Sequence, residues 1–519
     1  MDRHDETSFW TRRDVMGGAA ALAALAVLPT TAMAATSPSA PSGEDLCFTS
    51  ATALAEMIRA KSLSPVELMD AVLARTERIN PILRSFLHVD PDGARAAARE
   101  AEAAVMRGDS LGPLHGIPVS IKDSHNVKGM PTTNGSLITG GSPAMQDVEL
   151  VANTRAAGGI VFAKSNLPAL AHIDVTENLL GPPCQNPWKL GCNTGGSSGG
   201  AGAACAAGLG PLHHGTDGGG SIRIPADRCG VFGLKPSVGR IGHRGALGAA
   251  IGTGHDGPMT RTVADAALLL NVWAGPLDAD YLSIPTPPED YVAAVAAWES
   301  ALKGKRVGVT FDYGWVKAID PEVRQLVGAA AQRFAELGCR VEEVNPSWPN
   351  PLRAFEALWY TTAAGKRALF DGHEAWLDES LRLMMEEGAQ ISGVELAQAV
   401  ETKDKMFQLA QAFFADHDLL LSPVCAVPAW ATGQDVPMID GVDASYIGTR
   451  LPTFARMPFT PTFNLTGHPA ASVPCGFTAD GVPVGLQIVG PRHADALVLQ
   501  AAAGFEAIQP WADRRPPIA

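Results

Sequence analysis

Residues 195–241 read GGSSGGAGAACAAGLGPLHHGTDGGGSIRIPADRCGVFGLKPSVGRI. Inside this stretch three consecutive glycines, Gly218, Gly219 and Gly220, run directly into Ser221, and Arg223 follows two residues on. Glycine loses more backbone freedom on folding than any other residue, so a run of three in ordered sequence needs a conformational or close-approach reason. Two readings compete: a tight loop, or a cradle of unhindered backbone N–H groups facing a charge that develops beside Ser221. The flank supports an ordered core, because GVFGLKPS from 230 is a short apolar run that ends in a turn signal, the pattern of a buried strand.

The same texture extends outward. IPVSIKD at 117 and GIVFAKSN at 159 precede the Gly-rich stretch, and RVGVTF at 306, DLLLSPV at 418, AASVPCGF at 470 and VPVGLQIVG at 482 follow it. Helical patterns intervene, so strand and helix alternate from end to end and predict an α/β layered sheet. Ser64-Pro65-Val66-Glu67 offers an N-cap, a proline at the first helical position and the Glu of a capping box, with Leu68, Val72 and Ile79 on one face. Residues 94–106 form a second Ala-rich helical pattern, and 287–415 read as a helical region that interrupts the sheet.

The chain has 519 residues, 46% hydrophobic and 18% charged, which puts it among large globular proteins. Its net charge of −14 argues against nucleic acid and against anionic membranes as partners. The N-terminus is of another kind. Arg12-Arg13 precede an apolar Gly/Ala-rich run, 17–28, that closes with Pro29 and Ala32-Met33-Ala34. That order predicts a twin-arginine export signal over 1–34, cleaved near Ala34, because the apolar run is far shorter than the roughly 20 residues a spanning helix needs. A Ser/Pro-rich linker, 35–45, would then lead into one folded domain over 46–519, in a protein that is exported and not stably inserted in a membrane. The eight cysteines show no metal-ligand spacing, and no cofactor motif is present. Cys184 and Cys192 are a local pair that export would permit to bridge, while buried apolar filling is the expectation for the rest.

Chemistry concentrates at three places: Ile121-Lys122-Asp123 at the end of an apolar strand, Gly195-Gly196-Ser197-Ser198-Gly199-Gly200, and the Gly218–Ser221 run. A lysine on a buried strand is rare unless it is paired or functional. Taken together with GIPVSIKD at 116 and FNLTGHPAASVPCGFTADGVPVGLQIVG at 463, the 195–241 stretch resembles the amidase signature hydrolases, which cleave carbon–nitrogen bonds with a Ser-Ser-Lys triad. The resemblance runs from about residue 50 to the C-terminus. It implies a single large mixed β-sheet covered by helices on both faces. It also implies Lys122 as base, Ser197 as the bridging serine preceded by a cis peptide, and Ser221 as nucleophile. Gly218, Gly219, Gly220 and the N–H of Ser221 would form the oxyanion hole. Asp217 and Arg223 would brace that loop, and Ala171, after the Asn166-Leu167-Pro168 turn, would lie near the backbone contact to substrate. Ser198 reads as a structural hydrogen-bonding residue.

The chemistry can also be stated without the family. Amide hydrolysis needs a nucleophile, a base for its proton, a proton for the departing amine and donors aimed at the oxyanion. A lysine with its free pKa of about 10.4 is charged at neutral pH and accepts nothing, so burial must discharge it. Neutral Lys122 could then draw the proton of Ser197, which draws that of Ser221, and the chain could reverse to protonate the leaving nitrogen. Side chains at 218–220 would block the carbonyl from its donors, which gives the glycine run its reason.

Other patterns compete. Gly195-x-Ser197-x-Gly199 fits a nucleophile elbow, but NPWKLGCNT before it is polar and proline-broken where that elbow needs a strand. His214 with Asp217 and Ser221 could be drawn as a Ser-His-Asp triad, yet 214 and 217 would face opposite sides of a strand. His115 and His468 read as satisfied histidines, and Ser300-x-x-Lys303 as a solvated helix face. The expected function is hydrolysis of a small, apolar or aryl amide without metal or cofactor. LWYTTAAGKRALF at 358 and MPFTPTFN at 457 are the expected pocket walls. Carbamate or ester hydrolysis on the same triad, and a catalytically silent amide-binding protein, remain alternatives. The amidotransferase subunit of the same family is disfavoured by export. A small-molecule amide and water are the expected partners, with a homo-oligomer left open.

Overall fold

The computed structural model describes residues 43–242, 251–435 and 438–518. The export signal expected over 1–34 lies outside them. Among the described residues thirteen strands are present: β1 Phe86–Val89, β2 Pro118–Lys122, β3 Ile160–Ser165, β4 Leu212–Thr216, β5 Phe232–Lys235, β6 Asp256–Thr260, β7 Arg306–Val309, β8 Arg340–Glu343, β9 Leu419–Pro423, β10 Met438–Ile439, β11 Val442–Asp443, β12 Ala470–Phe477 and β13 Pro483–Val489. Eleven of them make one sheet in the order β1-β3-β2-β4-β6-β5-β12-β13-β9-β7-β8, and β10 with β11 forms a separate ribbon. The sheet is mixed: β3, β2 and β4 run parallel, as do β9, β7 and β8, while β4–β6, β5–β6, β5–β12, β12–β13 and β13–β9 are antiparallel. Central strands β2 to β6, β9 and β13 are buried along their whole length, and most of them accordingly read as continuous apolar runs without alternation.

The expected strands at 117, 159, 230, 306, 418, 470 and 482 all form. Four more appear in the large sheet, of which β4 carries two histidines, β6 begins Asp-Gly-Pro, and β8 is mostly exposed, so these three show no apolar run; β1 is only four residues long. β8 corrects the reading of 287–415 as helical: with β7, expected at 306, that region supplies the last two strands at one end of the sheet as well as the helices Pro321–Gln332, Leu352–Ala364 and Gly393–Asp416.

The helix Pro65–Leu83 starts where its cap predicts, with the Ser64 hydroxyl accepting from the N–H groups of Val66 and Glu67. That hydroxyl donates its proton to Glu102, on the helix Pro91–Arg107. A first helix, Gly43–Phe48, begins inside the stretch expected to be linker and buries Leu46 and Cys47. All eight cysteines are free and buried, so Cys184 and Cys192 do not bridge. Among the described residues no helix is long and apolar enough to cross a membrane.

Candidate active site

Lys122 is the last residue of β2 and is wholly buried. Its Nζ lies 2.7 Å from Ser197 Oγ, 2.8 Å from Ser198 Oγ and 2.8 Å from Thr216 Oγ1. Burial pushes its pKa down from 10.5 to about 7, against the opposing pull of the Asp217 and Asp256 carboxylates. An amine near that value is divided between charged and neutral forms at neutral pH, the condition a lysine must meet to accept a proton.

The three hydroxyls are not equivalent. Ser198 Oγ donates to Thr216 O at 3.1 Å and accepts from Thr216 N–H at 3.2 Å as well as from Lys122, so its proton is already committed. Ser197 and Thr216 keep the capacity to hand a proton to the lysine lone pair. Ser197 follows a cis peptide from Gly196 and enters the helix Gly199–Ala206 through Ser198. No strand precedes it, so the nucleophile-elbow geometry is absent at this serine.

Ser221 lies in the turn between β4 and the helix Arg223–Cys229. Asp217 holds that turn together. Its Oδ1 accepts from Gly220 N–H at 2.7 Å, and its Oδ2 from Ile222 N–H at 3.2 Å. Arg223 grips both oxygens, Nε to Oδ2 at 2.9 Å and NH2 to Oδ1 at 3.0 Å. Burial alone would raise the Asp217 carboxyl, but Arg223 overrides it and holds the group ionised. Arg223 is anchored in turn by Gln487 Oε1 at 2.7 Å and Asn464 Oδ1 at 2.6 Å, and Asn464 Nδ2 donates back to Asp217 Oδ1 at 2.8 Å. A buried ion pair so fully hydrogen-bonded makes a rigid support and is costly to break at one partner.

This arrangement corrects one expectation. Gly220 N–H is turned into the Asp217 carboxylate, so it does not face the cavity with its neighbours. Among the described residues no acceptor takes the N–H of Gly218, Gly219 or Ser221. The glycines also have a steric reason that sequence did not reveal. A Cβ on Gly218 would stand 2.6 Å from the Trp359 ring, and one on Gly219 would stand 2.7 Å from Phe355. The helix Leu352–Ala364 thus presses its aromatic face, with Phe355 and Trp359 stacked at 5.8 Å, against the glycine turn.

Two hollows meet at Ser221. The larger, about 150 Å³, has Ser197, Thr216, Gly218 and Ala171 in its wall, with Trp359 and Lys366 among its further contacts. The smaller, about 20 Å³, is lined by Phe355, Tyr360, Met384, Phe454 and Met457, and shares Ala171, Ser221 and Trp359 with the first. Both expected walls, 358–370 and 457–464, contribute. Ala171 adopts a positive φ of 58° in the turn after Pro168.

His214 does not join Ser221. Its Nε2 donates to Asp256 Oδ1 at 2.8 Å, and its Nδ1 faces the Lys122 N–H at 3.3 Å. His115 bonds to Ala101 O, and His468 bonds to Thr466 and Gln411, so both are satisfied. Sequence reasoning missed Thr216, Asn464 and Gln487 as parts of the site. Thr216 stands beside Asp217 in the Gly-rich stretch, and Asn464 and Gln487 lie in segments that carry the family resemblance. The contacts of these last two span more than 200 residues and leave no local signal.

A buried lysine ringed by hydroxyls, a glycine turn braced by an ion pair, and a cavity that reaches both serines define a hydrolase of the amidase signature type. The sequence profile described as Amidase matches residues 67–499. The chain is 38% identical to an acylamidase of Rhodococcus erythropolis over 91% of its own length and 98% of that protein. A bacterial aryl acylamidase of the amidase signature family superposes with a TM-score of 0.82 at 31% identity, covering 90% of this chain and 97% of that one. A peptide amidase of Stenotrophomonas maltophilia superposes with a TM-score of 0.74 at 27% identity, covering 90% and 98%. The chain belongs to the amidase family, and it is an amidase, a hydrolase of amide C–N bonds.

Proposed function

We propose that this amidase acts on a small amide with an apolar or aryl group, through an acyl-enzyme on Ser221, with Lys122 as base and Ser197 as relay. The observation that carries the reading is the wholly buried Lys122, whose Nζ touches the Oγ of Ser197, and Ser197 in turn stands in the wall of a cavity that also contains Ser221. With the amine neutral, its lone pair accepts the Ser197 proton, Ser197 accepts the Ser221 proton, and Ser221 Oγ bonds to the carbonyl carbon. The oxyanion is met by the N–H groups of Gly218, Gly219 and Ser221, donors of a kind whose loss typically costs about 3 kcal/mol each. The relay then returns a proton to the nitrogen as the C–N bond breaks, and water repeats the cycle on the ester. Ser198, Asp217 and Arg223 support the site without reacting.

The aromatic lining of the smaller hollow, whose Trp359 also reaches the larger one, favours an aryl or other apolar substrate, in keeping with the acylamidase relatives. The catalytic domain in this reading is 46–519, and export through the Arg12-Arg13 signal is part of the proposal. Replacing both arginines by lysine should leave the protein in the cytoplasm, and unchanged export would remove that part.

The test of the chemistry is product release from one acyl group carried as a primary amide, an anilide and a carbamate. Turnover on at least one member should fall by roughly 10⁴-fold in Ser221→Ala. A variant as fast as the wild type would overturn the nucleophile, and the preferred leaving group would separate amide from carbamate hydrolysis.

A further inference from the structure

Next to the Lys122 backbone is a second buried polar group that the hydrolytic steps do not use. His125 in the turn after β2, His214 on β4 and Asp256 at the start of β6 converge, all three buried, with ligand-type atoms within 4.8 Å of one another. None of the three is among the residues that line the cavity. Asp256 Oδ1 receives His214 Nε2 at 2.8 Å and His125 Nε2 at 3.1 Å. The rings contact edge to face at 4.7 Å, and Trp273 covers His214 at 5.7 Å.

Such a trio could be taken for a cation site. The opposite ring nitrogens decide otherwise. His214 Nδ1 faces the Lys122 backbone N–H at 3.3 Å, a group that can only donate, so Nδ1 is bare and the proton is on Nε2. His125 Nδ1 is 3.0 Å from the Ser124 hydroxyl, which can serve it as donor in the same way. His214 Nε2 therefore carries a hydrogen aimed at Asp256 Oδ1 and has no lone pair for a metal, and the matching tautomer of His125 turns its own Nε2 hydrogen toward the same oxygen. Burial pushes His214 down to about 4, so it stays neutral through the working range and keeps this wiring.

We propose that Asp256, acting through His214 and His125, is the positioning residue for the base of this amidase: it fixes the Lys122 main chain and supplies a buried negative charge that favours the ammonium form. The inference rests on Lys122 being the base. Among the described residues, the charged and titratable groups that face it include Lys122 from β2, His125 from the following turn, His214 from β4 and Asp217 after β4, whose carboxylate also pairs with Arg223. Since Asp256 opposes the effect of burial on Lys122, deleting its charge must make the amine easier to free, and the base form then persists to lower pH.

Asp256→Asn is the informative variant, because an amide oxygen can still accept both Nε2 hydrogens while the charge is gone. The expected result is an acid limb of kcat/KM displaced to lower pH by about half a unit or more, with KM unchanged. A purely structural role would lower the rate without moving the limb, and an unmoved limb overturns the proposal. Lys122→Met separates the two levels: if it keeps the wild-type pH profile the base assignment fails, whereas an inactive Lys122→Met beside an unmoved Asp256→Asn limb sinks this inference alone. Should Asp256→Asn not fold, nitrogen NMR of the wild-type histidine rings decides, with signals assigned by their loss in His125→Gln and His214→Gln. Protonated Nε2 and bare Nδ1 on both rings support the proposal, and a protonated Nδ1 on His214 overturns it.

Discussion

Lys122 and Lys235 are both wholly buried strand residues, and burial pushes both down from 10.5 to about 7. Their surroundings differ. Lys122 is met by three hydroxyls, and two of them, Ser197 and Thr216, can either accept a hydrogen bond or give one. Lys235 is met by His468 O at 2.6 Å, Pro236 O at 3.1 Å and His255 Nε2 at 3.3 Å. The two carbonyls only accept. His255 Nδ1 faces the carbonyls of Asp217 and Thr253, so its proton is on Nδ1 and its Nε2 only accepts too. Three fixed acceptors match the three N–H groups of an ammonium and leave nothing to donate into an amine lone pair. The hydroxyl ring around Lys122 fits either protonation state. Depth of burial therefore does not separate the two lysines; the direction in which their neighbours can hydrogen-bond does, and it suits Lys122 to the proposed role of base.

The comparison breaks most visibly in the rate. Lys122→Met should lower kcat/KM by about 10³-fold or more, since the relay loses its terminus, while Lys235→Met should retain activity within roughly tenfold in protein shown to be folded. Equal losses in steady-state assays would mean that hydrogen-bond direction does not separate the two lysines.

A smaller effect lies in stability. A lysine depressed from 10.5 to about 7 destabilises the fold fully below pH 7 and progressively less as pH rises toward 10.5, a slope of about 1.4 kcal/mol per pH unit in between. Denaturant midpoints at pH 7, 8 and 9 should show the wild type gaining on Lys122→Met at about that rate. Parallel curves would show that Lys122 stays charged. Lys235→Met should lose the same slope, because burial depresses that lysine equally; a wild-type slope retained in Lys235→Met would show that its three acceptors hold the ammonium through pH 9.

Much of this was legible in the chain, for reasons that differ by residue. β2, β3, β5 and β13 announce themselves because strands buried on both faces need continuous apolar sequence. β4 does not, since His213 and His214 spend their polarity on Ser120 and Asp256, partners 93 and 42 residues away. Lys122, Ser197 and Ser221 stood out because a lysine on a buried strand and serines in glycine runs are locally expensive choices. The braces Asn464 and Gln487 are ordinary residues in local terms, and only the placing of the short helix Pro461–Thr466 and of β13 beside the glycine turn gives them Arg223 to hold.

By itself the sequence determined the strand-rich α/β architecture, the lysine and the two serines, and a glycine run that no simple loop requires. Local cost and periodicity are written residue by residue, so one chain suffices to read them. Tertiary structure alone decided that Gly220 N–H serves Asp217 and not the cavity, that Trp359 and Phe355 forbid side chains at 218 and 219, and that His214 answers to Asp256. Those outcomes depend on which distant segments meet and in what orientation, and hydrogen-bond direction and steric contact exist only once they have met.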